Sequence, residues 1–187
     1  MLFPTLELNT ANYLLRPLVD ADLPLVFAGL SDPRVIANYG VSYATLEETV
    51  EQMRWYAQIQ REETGQWWCI CKPEAPAKLL GACGLNNIDA THRRAELGYW
   101  LLPEHWRQGI ATESVAAVIR YAFDHMAIHR IEADVDMENH ASAALLHKLG
   151  FTLEGVRRGY EMKDERPIDL KLFARLSTDI EADVGTG

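Results

Sequence analysis

A chain of 187 residues that is 48% apolar and 24% charged has the length and balance of one folded domain with its own core, which excludes wholesale disorder. Its 18 Lys and Arg against 27 Asp and Glu leave a formal charge of -9. That excess of carboxylate argues against nucleic acid as a partner, because no surplus cation is available to displace phosphate counterions, and suits a cationic substrate drawn to an acidic cleft.

No apolar run approaches the roughly 20 residues of a membrane-spanning helix. The opening Met1-Leu2-Phe3-Pro4-Thr5 has neither a basic segment nor a continuous hydrophobic stretch, so neither a membrane partner nor a secretory leader is expected. Cys69, Cys71 and Cys83 lack framework spacing, so reduced thiols and a cytoplasmic setting are expected. Cys69 and Cys71 fall on one face of a strand and suit packing rather than metal.

The first strand is read at Tyr13–Leu18. A short helix follows Asp20, whose carboxylate is placed to cap it, and stops at Ser31-Asp32-Pro33. Thr45 and Glu48 form a capping box for the next helix, along which Leu46, Val50, Met53 and Ala57 make an apolar stripe. Trp67–Cys71, Leu79–Leu85 and Ala95–Leu102 read as an antiparallel meander with turns at Pro73–Pro76 and Asp89–His92. After Pro103 the pattern changes: Ala111, Val115, Val118, Ile119, Ala122, Phe123 and Met126 share a helical face. Ile131, Ala133 and Val135 then alternate as in a strand, and Asn139 caps a helix that stops at Gly150. Ile168, Leu170, Leu172 and Ala174 alternate in a final strand, and the acidic tail from Ser177 is expected to fray. This order predicts an α+β (mixed α/β) fold, one domain over residues 1–176 with a flexible tail over 177–187.

The chemistry concentrates in Glu96-Leu97-Gly98-Tyr99-Trp100-Leu101-Leu102 and the following Trp106-Arg107-Gln108-Gly109-Ile110-Ala111-Thr112-Glu113. A strand ends, a loop turns at Gly109, and a helix begins. Its unpaired first-turn amides and positive dipole end make an anion site. Gly109 and Ala111 let a phosphate approach the main chain, while Arg107 and Thr112 add a cation and a hydroxyl. Neither a Walker triplet nor a dinucleotide fingerprint is present.

These two segments, with Asn139, Ala141, Lys148-Leu149-Gly150-Phe151 and the opening Leu15-Arg16-Pro17-Leu18, resemble the GNAT superfamily of acetyl-coenzyme A-dependent N-acetyltransferases. The resemblance runs from about Tyr13 to Arg175. Trp106 departs from the common Arg or Gln, which makes the chain look closer to the branch of ribosomal-protein N-terminal alanine and serine acetyltransferases. The resemblance implies a mostly antiparallel mixed sheet of about six or seven strands flanked by helices. It implies a splay between the fourth and fifth strands, Ala95–Leu102 and Arg130–Val135. The main chain of Trp100, Leu101 and Leu102 would bind the pantetheine arm of acetyl-CoA. Arg107, Gln108, Gly109, Ile110, Ala111 and Thr112 would bind its pyrophosphate, and Asn139 would bond near the arm. No metal is implied, and a homodimer is a family-level expectation.

Acetyl transfer to an amine needs a base for the ammonium, a donor for the oxyanion and a group to meet the departing thiolate. A strand amide near Leu101 suits the oxyanion. Glu161, in Gly159-Tyr160-Glu161-Met162, and Glu96 compete as base; Glu161 is preferred on the resemblance, against the plain alternative of a solvated glutamate in a loop. The helix tyrosine of much of the family is replaced by Leu146, and Ser142 one turn earlier is the expected acid, with Tyr160 and His147 as fallbacks. The acceptor expected is a protein or peptide N-terminal amine. A small amine (polyamine, amino acid, aminoglycoside), a coenzyme A-binding sensor without turnover and a nucleotide-binding regulatory module are the alternatives. His125 and His129, four apart, lack the glutamate of a zinc-protease motif.

Overall fold

The structure, a computed structural model, describes residues 6–163 and 165–179. Its strands are β1 (Leu8–Asn9), β2 (Leu14–Pro17), β3 (Gln66–Lys72), β4 (Ala75–Asp89), β5 (Arg94–Leu101), β6 (Arg130–Asp136), β7 (Thr152–Lys163) and β8 (Arg166–Leu176). Its helices are α1 (Leu23–Leu30), α2 (Pro33–Ile36), α3 (Leu46–Arg61), α4 (Ile110–His125) and α5 (His140–Lys148). All strands join one sheet in the order β1-β2-β3-β4-β5-β6-β8-β7, antiparallel except where β5 meets β6. The sheet has eight strands where six or seven were expected; the short β1, paired with β2 at Leu8 opposite Leu15, carries too few residues to show a period. The expected fourth and fifth strands are therefore β5 and β6.

Helices cover both faces. Alternate residues of the meander enter separate cores: Trp68 and Ile70 of β3 join Val115, Val118 and Ile119 of α4, while Trp67, Cys69 and Cys71 join Val26 of α1 and Met53 and Tyr56 of α3. Because both faces are covered, Gln66–Cys71 is buried throughout. The three thiols are free and buried, and burial pushes Cys83 well above the ordinary thiol range. Close approach accounts for Gly81, where an added Cβ would lie 2.3 Å from the Trp100 carbonyl oxygen.

Three local expectations change. Asp20 does not cap α1; it opens a 3-10 turn over Asp20–Asp22, and Asp22 is the carboxylate that organises the turn, accepting from the Val19 amide at 2.9 Å and pairing with Arg16. Along α3 the buried face is Thr49, Gln52, Met53, Tyr56 and Ile59, whereas Leu46 and Ala57 are exposed. The face turns because its polar members are satisfied internally: Thr49 Oγ1 donates to Thr45 O, and Tyr43 O–H donates to Gln52 Oε1. The Thr45 cap forms, accepting from the Glu48 amide at 3.1 Å, while Glu48 reaches one residue further back to the Ala44 amide. Finally, Glu161 is not in a loop: it lies on β7 opposite Ile168.

At the C-terminal end the Ser177 amide donates to His129 O, and the rest of the expected tail, residues 180–187, lies outside the described residues. Among the described residues no helix is long and apolar enough to cross a membrane.

Candidate active site

The sheet opens at its one parallel junction. β5 pairs with β6 from Arg94 opposite Arg130 to Glu96 opposite Glu132, and the ladder stops there. On its other side β5 stays paired with β4 up to Leu101 opposite Gly81, and the Leu102 amide donates to Leu80 O at 2.9 Å. In that register the main-chain groups of Trp100 and Leu102 point at β4, whereas those of Tyr99 and Leu101 point into the opening. The Trp100 side chain is buried against α1, close to Gly29. Trp106 Nε1 donates to Leu101 O at 3.0 Å and ties the following turn to the end of β5.

The turn into α4 is held in the left-handed region, with φ +60 at Arg107 and +79 at Gly109. A Cβ on Gly109 would meet nothing within 4 Å, so the turn is open above that residue. Arg107, Gln108 and Gly109 are exposed, Ala111 and Thr112 half-buried, and Ile110 is anchored in the core. Gln108 Nε2 donates to Glu104 O at 2.8 Å, which fixes the loop behind the glycine. The first-turn amides of α4 thus face an open, dipole-positive cradle. The acidic residue of that turn, Glu113, accepts from the Asn12 amide and side chain at 2.7 and 3.0 Å. Burial pushes its carboxyl up, but hydrogen bonds from Thr10 and Asn12 outweigh this and hold it below the usual range.

On the α4–α5 face of the opening, Asn139 Oδ1 accepts from the Ser142 amide at 3.0 Å as the cap of α5. Ser142 Oγ lies 2.5 Å from Tyr99 Oη. Burial pushes the Tyr99 phenol up to about 12, with the Ser142 bond pulling the other way. Leu146, one turn on, is fully buried, His147 packs edge-on against Phe173, and Tyr160 is exposed beneath the Arg157 guanidinium.

The α1–α3 face is acidic. Alternation along β6 puts Glu132, Asp134 and Asp136 opposite the buried Ile131, Ala133 and Val135. Arg157 Nη1 donates to Asp134 Oδ2 at 2.6 Å, while the buried Asp134 Oδ1 has no partner among the described residues. Burial pushes the Asp134 carboxyl up; Arg157 opposes this, and the charges of Glu96, Glu132 and Glu161 add to it. The charges of Glu96 and Glu161, far apart in the chain, therefore act on one half-buried carboxyl. Glu96 Oε2 accepts from Asn87 Nδ2 at 2.6 Å. Glu161 Oε2 approaches the loop between α2 and α3, 3.9 Å from where a Cβ on Gly40 would stand. The Lys163 ammonium donates to Ala37 O in the same loop. Asp134 was not singled out by its sequence. The alternation gave its face, but no local pattern shows that two distant glutamates converge on it.

The two histidines of the metal hypothesis are engaged separately: His125 stacks on Tyr121 at 5.2 Å, and His129 Nδ1 meets Ser177 Oγ at 3.0 Å. Among the described residues no His, Cys, Asp and Glu cluster could hold a metal ion.

Comparison with known proteins places this geometry in a family. The chain is 35% identical over 174 residues to the uncharacterized N-acetyltransferase YoaA of Bacillus subtilis, covering 92% of this chain and 97% of that one. The solved ribosomal L7/L12 alpha-N-protein acetyltransferase RimL in complex with coenzyme A superposes with TM-score 0.81 at 21% identity, over 91% of this chain and 98% of that one. Spermidine N-acetyltransferase from Vibrio cholerae, in complex with coenzyme A and spermine, gives 0.79 at 22% identity, over 89% and 96%. The acetyltransferase (GNAT) domain model matches residues 12–152, and the chain belongs to that family of N-acetyltransferases.

Proposed function

We propose that this enzyme transfers the acetyl group of acetyl-CoA directly to a protein or peptide N-terminal amine. The observation that carries the reading is the two-sided opening beyond Glu96. A capped hydroxyl pair, Ser142 and Tyr99, stands on one face, and the carboxylates of Glu96, Asp134 and Glu161 gather on the other. Residues at hand fit the carrier: the open cradle at Gly109 suits a diphosphate, and the inward-facing main chain of Tyr99 and Leu101 suits an amide-bearing arm. Bound there, acetyl-CoA supplies the activated acetyl group. Arg107, Gln108, Gly109, Ile110, Ala111 and Thr112 grip the diphosphate, while Asn139, whose Oδ1 is used in capping, has its Nδ2 to donate to the arm. The Leu101 amide meets charge on the acyl oxygen. The main-chain groups of Trp100 and Leu102 turn toward β4, with the Leu102 amide committed to Leu80, so their part beside the arm is to hold Tyr99 and Leu101 facing it. Glu161 takes the ammonium proton, with Glu96 as the alternative base.

Gly109→Ala tests the cradle. The left-handed φ of +79 costs an L-residue about 1–2 kcal/mol, and the added methyl enters the space a diphosphate needs. The coenzyme A Kd is expected to rise about tenfold by calorimetry, with turnover at saturation close to wild type. An unchanged Kd would put the diphosphate elsewhere.

The second reading, a small-amine acceptor such as a polyamine, draws on the net charge of -9 and the likeness to a spermidine acetyltransferase structure. Thiol release from acetyl-CoA, followed with ribosomal-protein N-terminal peptides and with a panel of small amines, separates the two. Release with small amines alone overturns the peptide acceptor; coenzyme A binding with no release on either panel identifies a sensor.

A further inference from the structure

Tyr99 and Ser142 are 43 positions apart in the chain, yet their hydroxyl oxygens stand 2.5 Å from one another, at the short end of the O–H···O range. Each is fixed from its own side. Tyr99 lies on β5 beyond the last pair with β6, Glu96 opposite Glu132, and its ring is packed against the core beneath α4. Ser142 sits in the first turn of α5, its amide held by Asn139. The pair therefore bridges β5 to the α5 side across the opening of the sheet. A phenol is a stronger acid than an alkyl hydroxyl, and the alkyl oxygen is the better acceptor. The contact allows either hydroxyl to donate; with Tyr99 O–H donating to Ser142 Oγ, the Ser142 proton turns away from Tyr99 and stays available on a half-buried hydroxyl.

We propose that Tyr99 is a positioning residue that fixes the Ser142 hydroxyl as a hydrogen-bond donor to the departing sulfur, rather than as the source of its proton. The proposal rests on the acetyl-CoA reading above and refines the role of Ser142 within it. As the N–C bond forms, the C–S bond breaks and its electron pair stays on sulfur. The Ser142 O–H meets that charge, the amine proton leaves to the carboxylate base, and the sulfur takes a proton from solvent as coenzyme A departs. The acidities agree with this division. The Tyr99 phenol is pushed up to about 12 by burial, an alkyl hydroxyl is a weaker acid still, and an ordinary thiol ionises near ~8.5. A thiolate therefore keeps its charge in front of this pair, and a hydrogen bond stabilises it.

The test is the ionisation of bound coenzyme A, followed by thiolate ultraviolet absorbance in the complexes of wild type, Tyr99→Phe, Ser142→Ala and Ser142→Thr, with the desulfo-coenzyme A complex of each as blank. The thiolate is expected to be about tenfold more favoured in wild type and Ser142→Thr than in Ser142→Ala and Tyr99→Phe. In turnover of acetyl-CoA with the best amine of the two panels, Tyr99→Phe is expected to lower kcat about tenfold without raising the KM for acetyl-CoA. It should cost nothing further in a Ser142→Ala background, because Tyr99 acts only through that hydroxyl. Equal thiol ionisation in all four complexes overturns the donor role. A shift in Ser142→Ala alone, or equal losses from Tyr99→Phe in both backgrounds, overturns the part given to Tyr99. Calorimetry separates these outcomes from failure of the cofactor reading: no uptake of coenzyme A by folded wild type removes both together.

Discussion

Glu161→Gln is expected to lower kcat by about 10²–10⁴ while leaving the Kd for coenzyme A within about twofold of wild type. The substitution keeps size and hydrogen-bonding capacity but removes the ability to hold a proton. Among the described residues no cation or donor is assigned to Glu161, whereas Glu96 accepts from Asn87 and Asp134 from Arg157, so Glu161 has the carboxylate least committed to a partner. Its position on β7, facing the loop at Gly40, puts it on the acidic side of the opening rather than among the groups that hold the carrier. The deficit has a pH signature. An acceptor that arrives already deprotonated needs no base, so the variant recovers as pH rises through the acceptor's own pKa. Recovery centred near ~8 marks an α-amino acceptor and recovery near ~10 an alkylammonium. The same measurement therefore tests the base and the acceptor class. A full rate in Glu161→Gln with a loss of that size in Glu96→Gln transfers the role to Glu96. Full rates in both remove a carboxylate base from the mechanism.

What could be read from the sequence follows the range over which each feature is encoded. The turn from β5 into α4 is contiguous, so Gly109 and the helix start after it were visible as a pattern, and the left-handed φ of +79 at Gly109 agrees with that reading. The meander was visible because Pro73 and Pro76 mark its first turn, Asp89 opens its second, and the strands between are apolar. The buried face of α3 was misread because a hydropathy pattern sees Thr49 and Gln52 as polar, while the fold satisfies them with Thr45 and Tyr43 and turns them inward. The site's convergence was not visible at all. Tyr99 meets Ser142, and Glu96 and Glu161 come within reach of the Asp134 charge, only because β5 and β6 are parallel neighbours joined through α4, with β8 and β7 added outside them. Periodicity gives each residue a face; the strand order decides which faces meet. The resemblance supplied Ser142 and Glu161 as candidates, but not the phenol behind the one or the half-buried Asp134 carboxyl that feels the charge of the other.

Asp22→Ala is expected to destabilise the fold by about 3–5 kcal/mol in urea unfolding, the largest loss of stability among the changes considered. The motif Leu15-Arg16-Pro17-Leu18 carries an arginine that does structural rather than chemical work. Arg16 Nη1 and Nη2 donate to Asp22 Oδ2 and Oδ1 at 2.8 and 2.6 Å, with side-chain exposures of 13% and 3%. Arg16 also donates to the carbonyls of Pro17 and Pro76, so one guanidinium joins β2, the turn into α1 and the hairpin at the start of β4. Removing Asp22 leaves that cation enclosed without its counter-charge and the Val19 amide without its acceptor. Removing both charges, as in Arg16→Met with Asp22→Leu, is expected to recover most of the loss, because no orphaned cation remains and apolar side chains fill the space. Coenzyme A affinity of the folded fraction should be unchanged in either variant, since the Gly109 turn and the Ser142 helix lie on the other face of the sheet from α1. A single substitution that costs under ~1 kcal/mol would instead place the pair with solvent-screened surface bridges. The β2–α1 corner would then owe its shape to Val26 and Leu30 packed beneath the sheet.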